Sequence, residues 1–304
     1  MGSTLADIPE STSSGNFRQV RDNIYRALLA SYPEEEANAL CRIFLSHRSG
    51  KEYYLLVAED LLFSSIQIEW LQHAVNQALN GKPWQYILGS MTFAGLRLKV
   101  NPSVLIPRPE TEELLDIAQE TMRKCFPDEK KVTILDAGTG SGCIALAMKR
   151  HFPNATVYAL DLSAAALDIA RENAASNMLE VGFVEADLLI PPPDAIPRRL
   201  HLLISNPPYV RESERTAMQP NVLDWEPHSA LFVPDKDPLM FYRSLALWGK
   251  HLLRPGGILM AEINEALGKD LVGMLNNAQY SDICITQDFR GKDRFLKAIW
   301  SGRS

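Results

Sequence analysis

Apolar residues recur at three- and four-residue steps along the first eighty positions. Phe17, Val20, Ile24, Ala27 and Leu28 fall on one side of the stretch 16–30, which predicts an amphipathic helix. A second helix is predicted to start at Pro33, because proline needs no amide partner in a first turn. Glu34, Glu35 and Glu36 meet the positive end of its dipole, and Ala37, Leu40, Ile43, Phe44 and His47 continue its buried side. A third helix is expected over residues 66–79, with Gly81 as its stop. Residues 82–106 read differently. Tyr86-Ile87-Leu88-Gly89, Met91-Thr92-Phe93 and the run 96–100 are short extended segments punctuated by glycine, which predicts a β-hairpin linker. Pro107-Arg108-Pro109 ends extended structure, and Glu110-Thr111-Glu112-Glu113 opens another helix.

From about residue 130 the rhythm becomes strand, turn, helix. Strands are expected at 132–135, 156–160, 181–185, 201–205 and 257–263, nearly continuous in their apolar content and separated by helical stretches. That pattern predicts a buried parallel sheet in a three-layer α/β domain. Two last strands, 283–287 and 295–300, are joined by only Asp288-Phe289-Arg290-Gly291-Lys292-Asp293, too little for a crossover helix. They are therefore expected to be antiparallel, leaving one reversed strand at the end of the sheet.

With 304 residues, 46% of them hydrophobic, the chain can build one large domain or two. No apolar run approaches the roughly 20 residues of a membrane span, so no membrane partner is expected. The opening residues lack the layout of a secretory signal, and residues 1–16 are expected to form a flexible tail. Thirty-one basic against thirty-seven acidic side chains give a net charge of -6, which argues against non-specific nucleic-acid binding. Cys41, Cys125, Cys143 and Cys284 are scattered without a CxxC pair. Neither a disulfide framework nor a metal site is expected, and a reducing, cytoplasmic setting fits best.

The chemistry concentrates at two turns. Asp136-Ala137-Gly138-Thr139-Gly140-Ser141-Gly142 follows a strand and opens a helix, a place where backbone approaches a ligand closely. It is not a dinucleotide fingerprint, because Cys143 replaces the third glycine, and it lacks the Gly-Lys-Ser/Thr of a phosphate loop. It suits a nucleoside better than a triphosphate. Asp161, ending the next strand, can accept two hydrogen bonds from a ribose diol, and Asp187 can accept an amino hydrogen from adenine. The second turn is Asn206-Pro207-Pro208-Tyr209. Its two prolines stiffen the backbone and remove competing donors, so the Asn206 side chain and the Pro207 carbonyl can each accept one N–H of a planar NH2 group. Tyr209 is expected to pack its ring on the plane of that group.

Together these turns resemble the S-adenosylmethionine-dependent amino methyltransferases, and three further stretches resemble the release-factor glutamine methyltransferases. The stretches are Val104-Leu105-Ile106-Pro107-Arg108-Pro109-Glu110-Thr111-Glu112, Glu226-Pro227-His228-Ser229-Ala230-Leu231 and Phe241-Tyr242-Arg243. The resemblance covers roughly residues 17–300. It implies a helical substrate-recognition domain over 17–81, a hairpin linker over 82–106 and a methyltransferase domain over 107–304. The sheet it implies has seven strands, mostly parallel, with one antiparallel strand near the C-terminus. It implies S-adenosyl-L-methionine as cofactor, contacted by Asp136, Gly138, Thr139, Gly140, Ser141, Gly142, Asp161, Asp187 and Leu188. The implied substrate is the glutamine of the Gly-Gly-Gln motif in peptide-chain release factors, clamped by Asn206, Pro207, Pro208 and Tyr209 and methylated on its side-chain nitrogen.

The chain departs from that pattern at Phe232-Val233-Pro234-Asp235-Lys236-Asp237-Pro238, where relatives usually carry glycines, and at Asn264, where a glycine is common. The competing expectation is methylation of an exocyclic base amine in DNA or ribosomal RNA, which needs a basic track. Residues 1–80 carry ten acidic and six basic side chains, and no Lys/Arg-rich run occurs anywhere, so release factors are the expected partners. A binding module with an inactive cofactor site is disfavoured because both turns are intact.

Overall fold

The computed structural model describes residues 14–129 and 131–302. The chain divides into two compact units, the first ending at Gly89 and the second beginning at Ser90. Most of the expected tail lies outside the described residues. Its last three residues do not behave as one: β1 (Ser14–Asn16) pairs antiparallel with β2 (Leu62–Ser64).

The first unit is helical. α1 (Phe17–Leu28) is capped by the Asn16 side chain, which accepts from the Gln19 amide, and it buries the five apolar residues that predicted it. α2 (Glu34–Ser49) carries its three glutamates in the first turn and His47 and Arg48 in the last, each suited to the dipole end it meets. α4 (Ser65–Leu79) starts with a reciprocal capping box between Ser64 and Gln67. Between them lies α3 (Tyr53–Glu59), which buries only Leu56 and is too short to register as a periodic stripe. α5 (Trp84–Leu88) corrects the expectation of extended structure at Tyr86-Ile87-Leu88-Gly89. Pro83 sets the start of one short helical stretch, and Gly89, at a φ of 68°, ends it. The hairpin begins only at Ser90, inside the second unit.

That hairpin is β3 (Ser90–Phe93) and β4 (Leu96–Lys99). α6 (Pro109–Cys125) begins with proline at its first turn and glutamates 110 and 112 beside it. Then follow β5 (Thr133–Ala137), α7 (Cys143–His151), β6 (Thr156–Asp161), α8 (Ala164–Ser176), β7 (Gly182–Glu185) and β8 (Leu200–Ser205). A segment containing β9 (Val210–Arg211), α9 (Pro220–Trp225) and β10 (Phe232–Val233) precedes α10 (Met240–Leu252), β11 (Leu253–Glu262), α11 (Gly268–Asn277), β12 (Tyr280–Gln287) and β13 (Asp293–Trp300).

Seven strands form one sheet in the order β12-β13-β11-β8-β5-β6-β7. All neighbours are parallel except the pairs made by β13, which runs antiparallel to both β11 and β12. The seven-stranded, mostly parallel sheet is as expected. The reversed strand, however, is not at the edge: it inserts between β11 and β12, so the last hairpin closes inward. Side chains alternate across the sheet. Ile134, Leu202, Ile204 and Met260 meet Leu114, Leu115 and Ile144 of α6 and α7 on one face. Leu135, Leu203 and Leu259 meet Tyr242, Leu245, Trp248 and Leu271 of α10 and α11 on the other. Burying each such side chain contributes about 1.5–3 kcal/mol, which locks the strand register and therefore aligns the loops at the strands' C-terminal ends. No helix among the described residues is long and apolar enough to cross a membrane.

Candidate active site

The C-terminal ends of β5 and β8 are neighbours, with Ala137 opposite Ser205. The buried Ser205 hydroxyl donates to the Ala137 carbonyl at 2.6 Å, so the two turns that follow these strands are fixed to each other at their roots. Both turns line one cavity of about 350 Å³. This is the crevice beyond the carboxyl ends of an open sheet where ligands of α/β folds bind.

The glycine turn is shaped from below. Asp136 is fully buried and does not reach the cavity. Its Oδ2 accepts from the Thr139 hydroxyl at 2.6 Å and the Ala145 amide at 3.0 Å, tying the loop to the first turn of α7. Burial pushes the Asp136 carboxyl up to about 7, against the pull of those two donors. The amides of Gly138 and Thr139 both donate to the Leu160 carbonyl at 2.8 Å, which fastens the loop to β6. Gly140 stands at a φ of 54°, a left-handed conformation that side chains resist, and a Cβ there would meet no protein atom. Gly142 is glycine for a second reason. A Cβ there would lie 3.2 Å from the Ala170 Cβ and 3.3 Å from Leu146, so a side chain would push α8 from α7. Gly138, Thr139, Gly140 and Ser141 line the cavity, whereas Gly142 packs behind it.

Asp161 sits at the end of β6 on the cavity wall. Its Oδ2 accepts from the Gly140 amide at 2.8 Å and its Oδ1 from the Ser163 amide at 2.9 Å. Burial raises its pKa, and the backbone donors of Ser163, Gly140 and Leu162 oppose that rise. Asp187 and Leu188 follow β7 and also line the cavity, beside Leu162 and Ala186. The Asp187 carboxylate already accepts from the Leu189 amide at 2.8 Å, which leaves its other oxygen available.

These residues fit the S-adenosylmethionine that the sequence motifs imply. Asp136 Oδ1 is buried with no partner among the described residues, and because Asp136 does not reach the cavity it shapes the turn from behind rather than meeting the ligand. Asp161 retains lone pairs on both oxygens for a diol, and Leu162, Ala186 and Leu188 offer an apolar wall for a base.

At the second turn, Asn206, Pro207 and Pro208 line the cavity. The Asn206 Nδ2 donates to the Thr111 hydroxyl at 3.2 Å, and neither its Oδ1 nor the Pro207 carbonyl accepts a hydrogen bond from any described residue. Tyr209 differs from its expected place as a flat wall. It is not on the cavity surface; its hydroxyl donates to Glu262 Oε1 at 2.7 Å, drawn inward by that buried carboxylate. Burial and the nearby Glu262 charge hold the Tyr209 hydroxyl well above its ordinary pKa.

Three contributors escaped the sequence reading. Thr111 and Glu262 are each 1% exposed and hydrogen-bonded at 3.0 Å. Thr111 occupies the buried face of α6, in line with Leu114, Leu115, Ala118 and Met122, and a polar residue in that stripe was the available signal. Asn264, noted only as replacing a glycine, donates to the Tyr209 carbonyl at 3.2 Å and to Glu214 at 2.8 Å. The unusual 232–238 stretch is anchored as well. β10 pairs with β9, and Asp235 accepts from the amide and hydroxyl of Ser213.

Arg108 is a clasp. Its guanidinium meets Glu226 at 2.6 Å, and the other Glu226 oxygen accepts from the Ile106 amide at 3.1 Å. The pair joins two stretches that wall the cavity, residues 104–107 and 227–230. Replacing Arg108 by methionine leaves a buried carboxylate with a single amide donor. Because Arg108 is about one-third exposed, the expected loss is about 2 kcal/mol rather than the larger penalty of a fully buried pair. Thermal denaturation should show the midpoint fall by about 5 °C; an unchanged midpoint would remove the clasp from the account.

Residues 111–223 match the family model "Methyltransferase small domain", and residues 20–89 match "PrmC N-terminal domain". The release factor glutamine methyltransferase of Bacteroides thetaiotaomicron is 42% identical over 277 residues, 90% of this chain and 97% of that protein. The one from Flavobacterium psychrophilum is 38% identical over 282 residues, 92% of this chain and 98% of that protein. Among solved structures, the hMettl16 catalytic domain, crystallised in complex with MAT2A 3'UTR hairpin 1, has a TM-score of 0.54 and 15% identity. That match covers 80% of this chain and 82% of the other, and at this identity it speaks for the fold alone. With relatives this similar across nearly their whole length, the chain belongs to the release factor glutamine methyltransferase family.

Proposed function

We propose that this enzyme methylates the side-chain nitrogen of the glutamine in the Gly-Gly-Gln motif of peptide-chain release factors. The observation that carries the proposal is the meeting, in one cavity, of the glycine turn with two oxygens that have no partner among the described residues, Asn206 Oδ1 and the Pro207 carbonyl. S-adenosylmethionine, when bound, supplies an electrophilic methyl group. Gly138, Thr139, Gly140 and Ser141 border its site, Asp161 accepts from a ribose diol, and Asp187 and Leu188 serve the adenine. Asp136 and Gly142 act from behind, by shaping the turn.

An amide nitrogen is a weak nucleophile because its lone pair is delocalised into the carbonyl. Asn206 Oδ1 and the Pro207 carbonyl each accept one N–H, which fixes the nitrogen's direction and removes the cost of finding it. As methylation proceeds the nitrogen becomes more positive and both acceptor contacts strengthen, so they favour the transition state over the ground state. Pro208 keeps the turn rigid. Tyr209 contributes through its tie to Glu262, not by stacking.

The helical unit, read as residues 17–81, is assigned to recognition of the release factor, its acidic excess drawing a basic partner surface. We assign the enzyme to the cytoplasm on the scattered spacing of its four cysteines, which contains no CxxC pair. The experiment is incubation with S-adenosylmethionine and unmodified release factor, followed by peptide mass spectrometry. One added methyl on the Gly-Gly-Gln glutamine is expected. Methyl incorporation into an oligonucleotide, with none into release factor, would contradict the proposal.

A further inference from the structure

The carboxamide of Asn206 can sit in its place in two ways, related by a half-turn that exchanges oxygen and nitrogen with almost no change in shape. Only one presents an acceptor to a substrate NH2 group; the other sets N–H against N–H. What decides between them lies at the base of the cavity, where Thr111, on its lining, meets Glu262 behind it. Thr111 has one hydroxyl proton, and it goes to Glu262 Oε2 at 3.0 Å. The second Glu262 oxygen is engaged by the Tyr209 hydroxyl at 2.7 Å. With its proton committed, the Thr111 oxygen can only accept, and the atom of Asn206 that faces it at 3.2 Å is Nδ2. Thr111 and Glu262 are both buried, so water does not compete for these bonds.

We infer that Thr111 and Glu262 are positioning residues that set the polarity of the Asn206 carboxamide, so that its oxygen faces the substrate nitrogen. The inference rests on the reading of Asn206 as the substrate clamp. Glu262 dictates the direction of the Thr111 hydroxyl, and Thr111 dictates the direction of the amide. The same carboxylate holds the exit of the turn through Tyr209, and Asn264 grips the Tyr209 carbonyl from two residues further on. The arrangement also bears on specificity. Acceptors face the substrate and a carboxylate backs them, so a neutral carboxamide is favoured and a glutamate side chain is repelled.

The test compares Thr111→Val, which keeps the shape and loses the hydroxyl, with Thr111→Ser, which keeps the hydroxyl. Both are assayed as full-length enzyme with S-adenosylmethionine and unmodified release factor. Thr111→Val is expected to lower kcat by about 10- to 100-fold, with release-factor KM and cofactor Kd within about threefold of the parent. Thr111→Ser should stay within about threefold of the parent kcat. Thr111→Ala gives the same reading as the valine variant if that variant does not accumulate as folded protein. Parental kcat in Thr111→Val, or equal loss in the valine and serine variants, would overturn the inference. An inactive Asn206→Ala beside a fully active Thr111→Val would refute this step alone, whereas an active Asn206→Ala would refute the clamp on which it rests.

Discussion

Asn206→Ala is expected to lower kcat by about 100- to 1,000-fold, the range seen when one preorganised partner of a developing charge is removed. Cofactor affinity should stay within about twofold, because among the described residues the Asn206 side chain bonds to Thr111 and to no part of the glycine turn or Asp161. The size follows from the geometry. Two acceptors flank the substrate amide position, one on a side chain and one on a proline-fixed backbone, and deleting the first leaves the nitrogen free to rotate. Asn206→Asp should be nearly as impaired, since a carboxylate would set an oxygen against the Thr111 oxygen, whose only proton is given to Glu262. Steady-state kinetics with release factor, together with calorimetric titration of the cofactor, checks both halves. Full turnover in the alanine variant would remove the clamp from the account.

Asp161→Ala should act on the opposite quantity. Here the expected change is a loss of S-adenosylmethionine affinity of about 100-fold, because hydrogen bonds to a charged acceptor contribute about 1.5–3 kcal/mol each. Part of that loss comes through the protein itself. The carboxylate holds the Gly140 and Ser163 amides, so its removal frees the glycine turn and the start of α8 as well as the diol. Asp161→Asn, which keeps one acceptor, should fall between the parent and the alanine variant. At saturating cofactor, kcat for Asp161→Asn should recover to near the parental value, in contrast to Asn206→Ala. Calorimetry that found unchanged affinity in Asp161→Ala would rule out the ribose assignment.

Much of the fold could be read from the chain because its strongest periodicities coincide with its largest buried faces. The stripe Phe17, Val20, Ile24, Ala27, Leu28 is the buried side of α1, and the apolar run at 200–205 is a central strand buried on both faces. Short elements left no such trace. Seven residues from Tyr53 to Glu59 bury one leucine, and five from Trp84 to Leu88 bury one tyrosine, so neither makes a legible stripe. The place of β13 between β11 and β12 depends on strand pairing far along the chain, which a short connecting turn predicts only as antiparallel.

The site divides in the same manner. Residues that line the cavity from the two turns, such as Gly140, Asp161, Asn206 and Pro207, are contiguous with the motifs that announced them. The residues that aim those side chains are remote. Thr111 and Glu262 are 151 positions apart, and Asn206 lies 95 positions from Thr111, so their meeting is a product of packing alone. Asp136 and Tyr209 show the converse. Both stand within a motif, yet burial turns the first into a brace for the loop and the second into an anchor on β11.

The central claim is that a neutral carboxamide is held by Asn206 Oδ1 and the Pro207 carbonyl at the mouth of the cofactor cavity. Its most direct test is a crystal structure of the enzyme with S-adenosylhomocysteine and a release factor, or its Gly-Gly-Gln peptide. The account predicts the glutamine nitrogen within about 3 Å of both oxygens, with Asn206 Nδ2 still directed at Thr111. A glutamine nitrogen bound away from the 206–209 turn, or an Asn206 carboxamide turned the other way round, would contradict it.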